Sequence, residues 1–89
     1  MQKKVVIVQN RHGMHARPCS MLVKVASKSR SEFSISNEEM SVNVKSIMGV
    51  MMLAAACGSS LELQIEGYDE EEAMEEIIKL FDSKFGEET

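Results

Sequence analysis

The residues best suited to chemistry in this chain stand together, in the stretch Gly13-Met14-His15-Ala16-Arg17-Pro18. His15 is the leading candidate. A lone loop histidine is ordinarily just solvated, but its neighbours here are not ordinary. Gly13 gives the backbone freedom before it, Arg17 supplies a fixed positive charge two residues later, and Pro18 marks a helix start. Proline is favoured in the first turn of a helix, where its missing N–H would be unpaired anyway. The residue before a proline is pushed away from the α region, so the helix is expected to begin at or just after Arg17, two or three residues beyond His15. The first amides of a helix are unpaired, and the macrodipole adds partial positive charge there. An imidazole that acquires negative charge at this place would be stabilised by those amides and by the Arg17 guanidinium, which is what phosphate binding needs.

The elements that must position this stretch follow from periodicity. Lys3 to Gln9 is rich in valine and isoleucine and reads as a strand, broken by Asn10-Arg11-His12-Gly13. Pro18, Leu22, Val25 and Ala26 recur at helical spacing, with Met21 widening the face. Glu32-Phe33-Ser34-Ile35-Ser36 and Met40-Ser41-Val42-Asn43-Val44 both alternate and are expected to pair antiparallel across Asn37-Glu38-Glu39. Ser46 precedes the apolar run from Ile47 to Ala56 and reads as its N-cap. That helix is apolar nearly all round, so some of Met48, Met51 and Met52 should stay exposed as an adaptable binding surface. Leu61-Glu62-Leu63-Gln64-Ile65 alternates as a further strand. Asp69 with Glu72 resembles a capping box for a closing helix whose face is Ala73, Met74, Ile77, Ile78, Phe81 and Phe85. The order β-α-β-β-α-β-α points to an α+β layer, one antiparallel sheet with helices on one face and water on the other.

Composition sets limits. Eighty-nine residues make a single domain over 1–89, and a hydrophobic fraction of 44 % is that of a folded chain. A net charge of −4 argues against nucleic acid or an anionic membrane as partner. The basic residues lie toward the front, where a patch around the first helix would suit an acidic protein. No signal peptide or membrane span is visible, so a cytoplasmic location is expected.

Other chemistry has duller explanations. His12 and His15 lack a nearby third ligand, so no metal is expected. Cys19 near a helix N-terminus is a conceivable nucleophile, yet alanine would fit there equally well. Cys57 reads as packing at a helix end, and Ser46 as a cap. A phosphate on Ser46 would nevertheless be tolerated at a helix N-terminus and would set about −2 charge beside the exposed methionines.

Three blocks together resemble the HPr family, the histidine-containing phosphocarriers of the bacterial phosphoenolpyruvate-dependent sugar phosphotransferase system. They are Gly13-Met14-His15-Ala16-Arg17-Pro18, the run from Val42 to Met51, and Glu66-Gly67-Tyr68-Asp69-Glu70. The resemblance covers nearly the full length. It implies an open-faced β-sandwich, a four-stranded antiparallel sheet covered by three helices. It also implies a carrier, not an enzyme and needing no cofactor, whose His15 takes a phosphoryl group on Nδ1 from phosphorylated enzyme I and passes it to an enzyme IIA. Arg17 and the amides of Ala16 and Arg17 would hold the phosphate, and Lys24, Ile47, Met48 and Met51 would meet both partners. Ser46 matches the position modified by an HPr kinase/phosphorylase, which would bring in a transcriptional regulator. The alternative is a regulatory interaction module with little sugar transport. A monomer is expected. The chain departs from the family pattern at Arg11-His12, Cys19, Glu38-Glu39 and Ala54. At Ala54 the family commonly has glycine, so the second helix is expected to run on to Cys57.

Overall fold

The computed structural model describes residues 1–87. Four strands, β1 (Gln2–Ile7), β2 (Glu32–Ser36), β3 (Ser41–Asn43) and β4 (Ser60–Glu66), form one sheet in the order β1-β4-β2-β3, with every neighbouring pair antiparallel. Three helices, α1 (Ala16–Lys28), α2 (Ile47–Met52) and α3 (Glu70–Asp82), are interleaved as the sequence order requires.

The alternation of the strands decides which face is covered. Phe33, Ile35, Leu61, Leu63 and Ile65 are buried, and they meet Leu22, Ala26, Ile77 and Phe81 of the helices in one core. The intervening residues Ser34, Glu62 and Gln64 face the open side, and there Val5 and Ile7 remain exposed. The sheet is therefore open-faced, as its pattern predicts. The β2–β3 turn needs no glycine, because the Asn37 side chain accepts the amides of Glu39 at 2.8 Å and Met40 at 2.9 Å.

The strands β1 and β3 are shorter than their sequence patterns predict, and four further details differ at the helix ends. Helix α1 begins at Ala16, so His15 is its N-cap and Pro18 occupies the third helical position. A proline within the first turn sacrifices no intrahelical bond, so the helix can start ahead of it. Helix α2 stops at Met52 instead of running to Cys57. Ala54 adopts φ +48, in the left-handed region that ends helices, and so takes a conformation usually left to glycine. Asp69 stands at the N-cap position of α3, but its side chain makes no capping bond. Its carboxylate accepts the hydroxyls of Ser29 at 2.6 Å and Ser31 at 2.5 Å, and the Arg30 amide at 3.3 Å, while Glu70 reaches back to the Gly67 amide at 3.2 Å. The Ser29 and Ser31 bonds, chiefly, hold the Asp69 carboxyl at about 2. Phe85 lies outside α3, in a 3₁₀ turn (Lys84–Gly86) entered through left-handed Lys84 and Phe85, with its ring buried edge-on against Phe81.

Candidate functional site

The segment from Asn10 to His15 is built as a tight loop held at both ends. The Gly13 amide donates to the Asn10 carbonyl at 3.0 Å, and the buried Asn10 side chain returns a bond from Nδ2 to the Gly13 carbonyl at 2.6 Å. Gly13 has φ +68, and a Cβ there would run into the Ala55 carbonyl oxygen. Only glycine meets both demands. The same Ala55 carbonyl accepts the Met14 amide at 2.8 Å. The left-handed turn at Ala54 thus brings Ala55 to the loop that carries His15.

At the start of α1, the His15 amide is taken by the Gly13 carbonyl, and the first intrahelical bond runs from the Cys19 amide to the His15 carbonyl at 3.2 Å. Pro18 has no N–H. Two donors, the amides of Ala16 and Arg17, are left without a backbone acceptor among the described residues. No side chain caps the helix and no acidic residue lies in its first turn. The His15 side chain is 41 % exposed beside these amides. Arg17 is exposed, and its Nη2 stands 4.0 Å from where a side chain at Gly86 would begin, so the guanidinium reaches over the C-terminal turn. The arrangement sets an open seat with two free amide donors, of the kind that suits an anion, next to an accessible imidazole.

The sequence reading missed two neighbours of this seat. Glu87 Oε2 lies 2.7 Å from His15 Nε2, and Asn10 Nδ2 donates to Glu87 Oε1 at 3.1 Å. Partial burial pushes the Glu87 carboxyl up. The bonds from Asn10 and His15 and the nearby Arg17 charge outweigh it, and the net result is below the usual range. A partner 72 residues away along the chain leaves no local signal.

Ser46 caps α2, its Oγ accepting the Gly49 amide at 3.1 Å, and its side chain is exposed. Lys24, Ile47, Met48 and Met51 are all exposed, with Met52, on the α1 and α2 side of the molecule. Cys19 is fully buried, its Sγ 3.5 Å from the Met14 carbonyl, and burial pushes its thiol up, which removes the nucleophile reading. Cys57 is exposed and is not packing, because the chain has already left α2 at Ala54. His12 is exposed, with its ring 6.0 Å from that of His15, and no group of three or more metal-ligating side chains converges among the described residues.

Comparison with known proteins gives a consistent result. A family model described as the PTS HPr component phosphorylation site matches residues 2–83. The phosphocarrier protein HPr of Treponema pallidum (strain Nichols) is 50 % identical over 88 residues, covering 99 % of this chain and all of that protein. The phosphocarrier protein HPr of Xylella fastidiosa (strain 9a5c) is 43 % identical over the full length of both chains. Among solved structures, that of HPr-C-His from Thermoanaerobacter tengcongensis superposes with a TM-score of 0.95 at 42 % identity, covering all of both chains.

Proposed function

This chain belongs to the HPr family, the phosphocarriers of the phosphotransferase system, which carry a phosphoryl group and are not themselves enzymes; from that membership we propose that it relays phosphate from phosphorylated enzyme I through His15 to an enzyme IIA. One observation supports the site above all others: His15 is the exposed N-cap of α1, beside two open amides, and the Arg17 guanidinium lies over the neighbouring turn at Gly86.

In the proposed step, the Nδ1 lone pair attacks the phosphoryl phosphorus carried by enzyme I. The Nδ1–P bond forms as the donor's bond to phosphorus breaks, and the donor group leaves with the bonding electrons. The charge on the transferring oxygens falls where the Ala16 and Arg17 amides and the guanidinium can receive it. Because the seat is open to water, phosphohistidine is stabilised enough to form without becoming a trap, and the reverse geometry serves transfer to enzyme IIA.

Lys24, Ile47, Met48 and Met51 would form the docking surface for both partners, so the two would exclude each other. Ser46 would accept a regulatory phosphate from an HPr kinase/phosphorylase and signal to a transcriptional regulator. Its exposure and its place at the α2 N-cap support that reading, since the charge is tolerated there and repels acidic partners. The protein would act in the cytoplasm as a monomeric single domain.

The test is incubation with enzyme I and labelled phosphoenolpyruvate. Acid-labile label should enter the chain and move on to enzyme IIA, and His15→Ala should abolish both events. Label that persists in His15→Ala would refute the relay.

A further inference from the structure

We propose that Glu87 is a positioning residue for His15, holding the proton on Nε2 so that Nδ1 presents its lone pair to the incoming phosphoryl group; this rests on the relay reading above. The geometry is that of a carboxylate orienting an imidazole. Glu87 Oε2 stands 2.7 Å from Nε2, and the other oxygen, Oε1, accepts a bond from Nδ2 of fully buried Asn10. Asn10 in turn grips the Gly13 carbonyl, so the same amide fixes the carboxylate and the loop carrying the histidine. The approach of Glu87 is not a loose end of chain. Lys84 and Phe85 both take left-handed backbone, which disfavours non-glycine residues. Phe85 is fully buried against Phe81 as the anchor, and the Glu87 amide closes the turn onto the Lys84 carbonyl at 3.0 Å.

An ionised carboxylate only accepts hydrogen bonds. Opposite Nε2 it favours the ring form protonated there, which leaves Nδ1 bare. When Nδ1 forms its bond to phosphorus, the ring becomes cationic while the proton stays on Nε2, and the carboxylate stabilises that charge. When the phosphoryl group departs, the bonding electrons return to Nδ1 and the ring leaves neutral, again with the proton on Nε2. No proton needs to move in either direction.

The test compares the wild-type chain with Glu87→Gln and Glu87→Asp by 15N NMR of the imidazole nitrogens at pH 9, above the ordinary histidine range. Enzyme I-dependent phosphorylation rates are measured in parallel. The wild type should show a protonated Nε2 and a bare Nδ1 at His15. The glutamine amide can donate as well as accept, so Glu87→Gln should admit the other tautomer. It should also slow phosphorylation roughly tenfold, the scale of one charge-assisted hydrogen bond, with Glu87→Asp recovering part of both. Unchanged ring nitrogens and an unchanged rate in Glu87→Gln would overturn the proposal. Because the tautomer is read without phosphate, wild type that takes up no label would refute the relay and leave the Glu87 result standing on its own spectrum.

Discussion

Replacing Ala54 with glycine should make this protein more stable, and the size of the effect follows from one torsion angle. Ala54 sits at φ +48 just after α2, with an exposed side chain that makes no core contact to lose. Left-handed backbone costs an L-residue about 1–2 kcal/mol. Glycine removes that cost but brings back about 0.4–1 kcal/mol of unfolded-state entropy. The expected net gain is about 0.5–1 kcal/mol, which for a chain of this size raises Tm by about 2–8 °C. Urea titration of Ala54→Gly should move the midpoint up and leave the slope unchanged, since no new surface is exposed. Ala54→Val, with a β-branched side chain in the same conformation, should move it down. If Ala54→Gly is neutral or destabilising, α2 continues through Ala54 in ordinary helical backbone. Ala55 would then reach the His15 loop by some route other than a left-handed turn at Ala54.

Four further outcomes follow. Gly13→Ala should lose about 3 kcal/mol in chemical denaturation, combining left-handed strain with displacement of the Ala55 carbonyl and its bond to Met14. Ser46→Ala should cost about 1 kcal/mol of stability by removing the α2 cap, whereas Ser46→Asp should recover most of it, as read by thermal unfolding. Asp69 has a folded pKa of about 2 against an ordinary 3.8, so its stabilisation is complete above the higher value and disappears as pH falls through the lower. The stability difference between wild type and Asp69→Asn should therefore shrink on acidification across that window. Iodoacetamide applied to the native chain should label exposed Cys57 and spare buried Cys19, by mass spectrometry of the intact protein and its peptides.

What the sequence made legible was whatever repeats over a few residues. The alternation in Glu32–Ser36 and Leu61–Ile65 gave the covered face of the sheet, and Pro18 gave the α1 start to within two residues. Ser46 capped the helix it was expected to cap. The failures occurred where distant parts of the chain override a local rule. Asp69 has the right spacing for a capping box, but two serines from the segment before β2 capture its carboxylate. Ala54 is a good helix former by propensity. It is turned left-handed in the segment that brings Ala55 onto Met14. Phe85 continues the apolar face of α3 in sequence, yet it reaches the core only after the backbone breaks at Lys84. Local motif names His15 and Arg17 as candidates but is silent on Asn10 and Glu87, because what joins these two to the histidine is the folded topology.

The central claim is that phosphate on His15 is received by the open end of α1. The measurement closest to it is the amide 1H–15N spectrum of the chain before and after phosphorylation by enzyme I. The largest downfield proton shifts should fall on Ala16 and Arg17, with 31P coupling placing the phosphate on His15 Nδ1. A phosphate found on His12, or one on His15 that leaves both amides unmoved, would contradict it.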